Sequence, residues 1–291
     1  MSRLQTHNLT LAYPQAARVS TPRSIIHDLS LEIPDGAITV FIGANGCGKS
    51  TLLKSLARLL PPVAGQVTLD GRPLTQWKAA DVARELAILP QCPVAPEEMT
   101  VLQLVKQGRY PHQRWFSQWS AHDQEKVEWA LTLTHTHDLM HQPVQSLSGG
   151  QRQRVWIAMT LAQDADILLL DEPTTYLDLN HQVELLDLLV MLNREHGKTI
   201  VMVLHDLNLA CRYADQLIAV HNGDVCAQGA PSEIMSADLL QQVFNLHADV
   251  IPDPAYGTPM IVPVSRHLPR IDTSAHLLTP LSERNPEMML V

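Results

Sequence analysis

The chain has 291 residues, enough for one large domain or two small ones, and 45% of them are hydrophobic, which allows a sizeable core. Its net charge of −9 argues against nucleic acid or bare anionic lipid as a main partner. Four cysteines without C-x-x-C or metal spacing predict free thiols in a cytosolic protein. An apolar signal region and a run of eighteen apolar residues are both missing from the sequence, so we expect neither export nor a membrane span.

The first segments alternate between apolar and polar residues in the manner of strands, at Leu4–Ala12 and Ile25–Ile33. Pro14–Ser24, between them, reads as a polar loop of a length that is often functional. Tyr13 ends the first strand. An exposed aromatic ring there can stack on a nucleotide base, and it can equally pack as a strand-end residue.

A glycine-rich segment, GANGCGKST, lies between an apolar strand at 37–42 and a helix-like run of leucines that extends to Leu60. It fits the phosphate-loop pattern G-x-x-x-x-G-K-[ST] in the strand–turn–helix context that this pattern needs, which disfavours a chance glycine turn. Its backbone N–H groups and the helix N-terminus favour an anion. Lys49 would reach the β- and γ-phosphates, and Ser50 would hold Mg²⁺. The candidate nucleotide-binding residues are Gly43, Ala44, Asn45, Gly46, Cys47, Gly48, Lys49, Ser50 and Thr51.

Two strands and two helices are predicted next, at Gly65–Asp70, Leu86–Pro90, Met99–Arg109 and Ser120–Leu133. GRYPHQRWFSQWS, between the helices, is either a surface loop with half-buried tryptophans or a protein contact, since Trp, Tyr and Arg often anchor interfaces. A loose histidine cluster follows at His135, His137 and His141. It lacks a carboxylate or cysteine to complete a ligand set, so we do not expect metal there.

LSGGQ, residues 147–151, predicts a second helix that begins at an anion-binding turn. Ser148 is a good N-cap, and Gly149 and Gly150 free the backbone beside it. A turn of five residues is weak evidence alone, so its meaning depends on the motifs that follow.

A short apolar strand, Ile167–Leu170, ends in two carboxylates. A buried parallel strand delivers such residues to the edge of a sheet where phosphate sites form. Asp171 would belong to the Mg²⁺ shell and Glu172 would orient or deprotonate a water, although a solvated acidic strand end is the alternative. The next buried strand, 199–204, presents His205 at the same edge, placed to touch a γ-phosphate.

The remaining pattern predicts a long amphipathic helix at Leu179–His196, ended by Gly197. A hairpin is expected around Asn222–Gly223, followed by short helices within 232–244. The tail after Arg266 has no pattern, and we expect it to be poorly ordered.

Together these motifs resemble the ATP-binding subunit of an ABC transporter, over about residues 4–266. GANGCGKST looks like its phosphate loop, LSGGQ like its signature sequence and ILLLDE like its Walker B strand. The resemblance also assigns Gln91 to the Q-loop, Thr175–Asp178 to the D-loop, His205 to the switch histidine and Tyr13 to the adenine-stacking aromatic. The Thr-Tyr pair in the D-loop departs from the usual Ser-Ala or Gly-Ala.

The fold that this resemblance implies is an α/β P-loop NTPase core with an N-terminal antiparallel β subdomain. A helical subdomain would be inserted at about 92–165, and a poorly ordered tail would follow at 267–291. Catalytic roles are implied for Glu172, His205 and Gln91. Mg²⁺ ligands are implied at Ser50, Gln91 and Asp171.

By the same resemblance, two chains would form a head-to-tail homodimer with two ATP molecules between them. Each chain would contribute nucleotide contacts in trans from Ser148, Gly149, Gly150, Gln151 and Asp178. The dimer would drive membrane permease subunits from the cytoplasmic face of the inner membrane, and it would communicate indirectly with a substrate-binding protein.

Family-specific segments, including GRYPH, HDLNLACRYAD and PDPAYGTPMIVP, are similar to the ATPases of ferric siderophore importers of the enterobactin type. Import of a ferric siderophore, catecholate before hydroxamate, is therefore the expected function. Cobalamin and haem importers have similar ATPases and remain alternatives. From another class, an ATP-gated dimerising module without a transport role also remains open.

Overall fold

The computed structural model describes residues 2–13, 24–113, 119–265 and 267. Most of the predicted loop at Pro14–Ser24, the centre of the Trp-rich loop and the tail predicted after Arg266 lie outside the described residues, apart from residue 267.

The described strands are β1 (Leu4–Ala12), β2 (Ser24–Ile33), β3 (Ile38–Ile42), β4 (Ala64–Leu69), β5 (Arg72–Pro73), β6 (Leu86–Leu89), β7 (Ile167–Asp171), β8 (Thr199–Val203), β9 (Gln216–His221), β10 (Asp224–Gly229), β11 (Ala248–Pro252) and β12 (Pro259–Pro263). The described helices are α1 (Lys49–Leu56), α2 (Ala79–Glu85), α3 (Val101–Gln107), α4 (Ala121–Leu133), α5 (Gly149–Ala162), α6 (Leu179–His196), α7 (Leu207–Tyr213), α8 (Pro231–Ile234) and α9 (Ala237–Phe244).

The central sheet has six strands in the order β10-β9-β3-β8-β7-β6, parallel except for the β9–β10 hairpin. Every residue of β3, β7 and β8 is buried, as expected where helices cover both faces of a parallel sheet. The carboxyl ends of these three strands therefore meet at one edge. The segments that leave them carry the phosphate loop, the Asp171–Glu172 pair and His205.

A second sheet, β2-β1-β4-β5, is antiparallel and confirms the predicted N-terminal β subdomain. Its apolar face packs against Leu52, Leu53 and Leu56 of α1. The prediction that the helical run extends to Leu60 is wrong. The helix ends at Leu56 because the chain turns at Arg58, whose φ of 60° is left-handed.

Three helices between β6 and β7 pack on one another: α3, α4 and α5. Each begins with a capping box, at Thr100, Ser120 and Ser148 respectively, so the predicted N-cap at Ser148 is confirmed.

Arg109, from the Trp-rich loop, is internal to this helical unit rather than an interface anchor. It is 2% exposed, and its guanidinium donates to Asp123 at 2.9 Å and to the Ala162 carbonyl at 2.8 Å. The protein-contact interpretation is therefore wrong for this residue, because its donors bind the neighbouring helices instead.

Beyond the core, β11 and β12 form a separate antiparallel hairpin that the sequence reading did not predict. Pro252 and Pro259 lie at the strand ends and obscure the alternation. The described residues include no helix that is both long and apolar enough to cross a bilayer.

Candidate active site

The phosphate loop has a backbone that only glycine fits at two positions. Gly43 has φ 150° and Gly48 has φ 110°. A Cβ atom on Gly43 would overlap the carbonyl oxygen of Val220, and one on Gly48 would lie 2.7 Å from Ile26 Cδ1. Contacts with strands β9 and β2 therefore fix the conformation of the loop, and the N-terminus of α1 follows it directly.

Lys49, the first residue of α1, is only 5% exposed. Its ammonium group donates to the carbonyl oxygens of Gly43 at 2.7 Å and Ala44 at 3.0 Å. The loop thus holds its own cation in place, beside the backbone N–H groups that would meet an anion.

Asp171, at the end of β7, lies against the start of α1. The Ser50 hydroxyl donates to Asp171 Oδ1 at 2.8 Å, and the carboxyl is 1% exposed. Burial raises the pKa of Asp171, although the Ser50 hydrogen bond opposes the rise. Its Oδ2 atom is buried without a hydrogen-bond partner in the described structure. A buried carboxylate oxygen left unpaired beside a hydroxyl is a donor set that suits Mg²⁺.

The described residues hold no cluster of three His, Cys, Asp or Glu side chains suited to a metal. A Mg²⁺ site that is completed by phosphates and water needs only one or two protein ligands, so the pair Ser50–Asp171 fits this ion.

Glu172 follows directly, in a left-handed conformation with φ 55°. His205 Nε2 lies 2.7 Å from Glu172 Oε1, and the Thr175 hydroxyl donates to Oε2 at 3.3 Å. Partial burial raises the pKa of Glu172, but hydrogen bonds from His205, Gln91 and Thr175 outweigh burial and leave the pKa below its usual value. These hydrogen bonds therefore favour the ionised carboxylate.

One cavity of 490 Å³ brings most of the predicted residues together. It is lined by Tyr13, Ile25, Asn45, Gly46, Gly48, Lys49, Ser50, Thr51, Gln91, Glu172 and His205. Tyr13 lies at the rim with 43% of its surface exposed, and its hydroxyl is 3.5 Å from Thr51 Oγ1.

Two participants were missed by sequence reasoning. Ile25 lines the cavity, and Thr175 bonds Glu172. The sequence alone does not mark Ile25, at the start of β2, as a cavity residue. Its role could be predicted only if β2 were already known to pass beside the phosphate loop. Thr175 lies three residues after Glu172, a spacing at which a hydroxyl can bond back across a turn.

Other predicted residues lie elsewhere. Ala44 and Cys47 line a neighbouring cavity, which shares Ile25, Asn45 and Gly46 with the first. Of the described residues that line the 490 Å³ cavity, none belongs to the Ser148–Gln151 turn. Ser148 and Gln151 instead cap α5 reciprocally, at 3.3 and 3.1 Å.

The residues beside that turn are also occupied locally. Gly149 packs on the Tyr176 side chain, and Gly150 on Leu177. Asp178 caps α6 by accepting a hydrogen bond from the His181 N–H at 3.0 Å. The signature turn and the D-loop therefore form one surface, outside the cavity of the same chain.

The family model described as ABC transporter matches residues 26–175, which is more than half of the chain. The chain belongs to the ABC transporter family. This ABC ATPase is 56% identical to the achromobactin transport ATP-binding protein CbrD of Dickeya dadantii, over 93% of this chain and 98% of the relative. It is 49% identical to the ferric enterobactin transport ATP-binding protein FepC of Escherichia coli, over 92% and 97%. The cobalamin import ATP-binding protein BtuD of Halobacterium salinarum is 38% identical, over 87% and 64%.

Solved structures agree with the fold of the ABC ATPase. A chain of a metal-chelate type ABC transporter in an inward-facing conformation matches with TM-score 0.76 and 28% identity, over 91% of this chain and 99% of the other. The bacterial cassette MJ0796, solved as a dimer, matches with TM-score 0.70 and 27% identity, over 78% and 98%. The mixed α/β core with an antiparallel β subdomain and added helices is thus shared with known ABC cassettes.

Proposed function

We propose that the chain is the ATP-hydrolysing subunit that powers import of a ferric siderophore through a membrane permease. The observation that carries the enzymatic part is the Glu172–His205 pair, which faces the same cavity as Lys49 and Ser50. That arrangement pairs a general base with a phosphate-binding loop.

ATP binding begins at the loop. The triphosphate would lie against the N–H groups of residues 43–51, with the adenine stacked on Tyr13 at the rim of the cavity. Lys49 would exchange its contacts with the Gly43 and Ala44 carbonyls for the β- and γ-phosphate oxygens. The cation is already in place, so little side-chain ordering is needed on binding.

Ser50 and Asp171 are the residues that would hold Mg²⁺, which neutralises charge on the β- and γ-phosphates when bound. The unpaired Oδ2 atom of Asp171 supports this role. Gln91, which lines the same cavity and bonds Glu172, is our proposed third ligand, and it would link the helical unit to the γ-phosphate.

Hydrolysis would proceed by attack of a water oxygen on the γ-phosphorus. Glu172 accepts the proton that the water loses, and the bond to the bridging oxygen breaks so that its electron pair leaves with ADP. His205 orients the carboxylate and presents its ring to the γ-phosphate. The lowered pKa of Glu172 keeps the base ionised at neutral pH.

The dimer supplies what one chain lacks. Ser148–Gln151 and Asp178 lie outside the cavity, so a second copy would bring its own signature turn to the γ-phosphate across a two-fold axis. A similar cassette has been solved as a dimer, which supports dimerisation of this chain. We assign residues 1–266 to one ABC domain and residues 267–291 to a tail.

The helical unit at about 92–165 is our proposed contact with the permease, from the cytoplasmic face of the inner membrane. A substrate-binding protein would act indirectly, through the permease. The charge of −9 gives no reason to include nucleic acid among the partners.

The cargo assignment depends on the relatives. Those named for achromobactin, petrobactin and ferric enterobactin are 44–56% identical to this chain, whereas the cobalamin relative is 38% identical. A relative named for an iron(3+)-hydroxamate is 46% identical. A siderophore is therefore favoured over cobalamin. The intact Glu172–His205 pair favours a transport ATPase over a module that only dimerises.

The cargo test is deletion of the gene. We expect growth to stop when a strong ferric chelate is the only iron source, and ferrous iron to restore it. A Glu172→Gln gene copy should fail to complement, whereas a copy with exposed Glu195 changed to Gln should succeed. Loss of cobalamin uptake with normal siderophore uptake would overturn the cargo and leave the ATPase proposal standing.

A further inference from the structure

Helix α7 begins at Leu207, two residues after His205, so its placement constrains the backbone that carries the imidazole. Asp206 caps it, with Oδ1 accepting from the N–H groups of Asn208 at 2.8 Å and Leu209 at 2.9 Å. The helix has seven residues, too few to be stable without tertiary contacts. The orientation of His205 therefore depends on what holds α7.

The C-terminal hairpin holds the first turn of α7 through one side chain. Asn208 Nδ2 donates to the Ile261 carbonyl at 3.3 Å, and the Ile261 N–H donates to Asn208 Oδ1 at 2.7 Å. The amide thus pairs with both backbone groups of Ile261, in the way that a neighbouring strand would. Ile261 is itself buried in the core, which fixes the position of this anchor.

A second contact holds the other end of the helix. Arg212 donates to Asp253 Oδ2 at 2.7 Å, and Asp253 is 7% exposed. The other carboxylate oxygen accepts from the N–H groups of Ala255 at 2.8 Å and Tyr256 at 3.3 Å, in the hairpin turn. The Arg212 guanidinium lies over the Tyr256 ring, with its Cζ atom 4.5 Å from the centre of the ring. Asp253 therefore joins the turn of the hairpin to the last turn of α7.

We propose that Asn208 is a positioning residue for hydrolysis, and that the β11–β12 hairpin braces the His205–Glu172 pair through Asn208 and through the Arg212–Asp253 contact. This inference rests on the roles proposed above for His205 and Glu172. Asn208 is three residues from His205, and it joins that segment to the hairpin. The His205 side chain is 44% exposed, so burial alone does not fix it, and the brace adds a constraint on the segment that carries it.

The experiment compares full-length Asn208→Ala with a matched control, Asn193→Ala. Asn193 lies on α6 and also makes two side-chain bonds to backbone carbonyls, to Gly36 at 2.9 Å and Lys198 at 2.7 Å, remote from the cavity lining. We would measure ATP affinity, kcat and thermal stability for both variants. The two substitutions remove the same chemical groups, so a stability effect alone should appear in both.

The expected result for Asn208→Ala is a kcat lowered by roughly 10- to 100-fold with ATP affinity unchanged, because a misplaced catalytic group slows chemistry more than binding. A kcat that falls while ATP affinity is unchanged is a result that a loss of stability alone would not produce.

A kcat in Asn208→Ala equal to that of wild type would overturn the proposal, and so would a matching loss of kcat in Asn193→Ala. If Asn208→Ala does not fold, the test uses Asp253→Asn, which weakens the contact with Arg212 and leaves the sequence of α7 unchanged. Its kcat should fall in the same direction by a smaller factor, and unchanged kcat would overturn the brace. If the Glu172→Gln variant hydrolyses ATP at the wild-type rate, the proposed function is overturned instead.

Discussion

His205 Nε2 lies 2.7 Å from Glu172 Oε1, a contact between the ends of two adjacent parallel strands. The register of β7 and β8 pairs Asp171 with Val203, so the residues that follow both strands leave the sheet at the same level. The left-handed conformation of Glu172 turns the chain there, immediately after the strand. The position of the proposed general base is thus set by the backbone as well as by its partners.

Glu172→Gln should keep ATP binding and lose about 10²- to 10⁴-fold in kcat, the usual worth of a positioned general base. Single-turnover hydrolysis and a nucleotide-binding titration would measure the two effects separately. Glu195→Gln, at an exposed position on α6, is the matched control and should behave as wild type. Hydrolysis at the wild-type rate in Glu172→Gln would remove this residue from the mechanism. With ATP, the variant should also elute as a dimer.

Lys49→Ala should abolish high-affinity ATP binding, because it removes the buried cation that the loop holds ready for the phosphates. Lys54→Ala removes the same charge from the last turn of the same helix, and we expect it to bind ATP normally. Equilibrium titration with a fluorescent ATP analogue distinguishes the two. An unchanged dissociation constant in Lys49→Ala would refute the phosphate-loop assignment.

Ser148→Arg should block hydrolysis while sparing binding at the phosphate loop of its own chain, because a bulky cation would obstruct the donor turn. In a mixed dimer with Lys49→Ala, one composite site carries both changes and the other carries neither. Partial ATPase activity in the mixture, but in neither variant alone, is the expected result. The mixture should be compared with Ser148→Ala, which removes the cap without the bulk. Activity of Ser148→Arg alone at the wild-type level would contradict the shared-site model.

The Arg109–Asp123 pair predicts an acid-sensitive helical unit. Burial raises the pKa of Asp123, but hydrogen bonds from Ser120 and Arg109 outweigh it and lower the pKa to about 2. Because the pKa of Asp123 in the folded state is below its ordinary value of 3.8, the ionised carboxylate stabilises the fold at pH values above 3.8. This contribution to stability is lost as the pH falls toward about 2. At neutral pH it amounts to about 2 kcal/mol of unfolding free energy.

Asp123→Asn should therefore lower the free energy of unfolding at pH 7 by at least about that amount and flatten its pH dependence between pH 4 and pH 2, as estimated from the shift. Urea unfolding at several pH values would measure both. Asp138→Asn, at a fully exposed carboxylate, is the control. An Asp123→Asn protein with the wild-type pH dependence would show that this pair is not the source of the sensitivity.

Sequence patterns predicted the regular elements well where one signal dominates. The bounds of β1 and α6 are confirmed as predicted: apolar and polar residues largely alternate along the first, and Gly197 ends the second in a left-handed turn. The β9–β10 hairpin around Asn222–Gly223 is also confirmed. Local signals of this kind predict the folded structure correctly because the tertiary contacts favour the same conformation.

Features that depend on distant contacts were not predictable from the pattern. An arginine in a Trp-rich loop reads as an interface residue, and only the positions of Asp123 and Ala162 show that Arg109 is buried. The contact of Ile25 with the cavity depends on where β2 passes. Likewise, the positions of the strand ends predicted that Glu172 and His205 lie at the same edge of the sheet. They did not predict that the two side chains are in contact.

The placement of β3 in the centre of its sheet has a consequence for synthesis on the ribosome. Its neighbours, β8 and β9, begin at Thr199 and Gln216, so at 5–20 residues per second β3 waits roughly 8 to 30 s for its first partner. The loop after it takes its shape against the Val220 carbonyl, which emerges later still. Nucleotide therefore cannot stabilise the nascent chain early, and an apolar strand must be shielded from aggregation until three-quarters of the chain has been made.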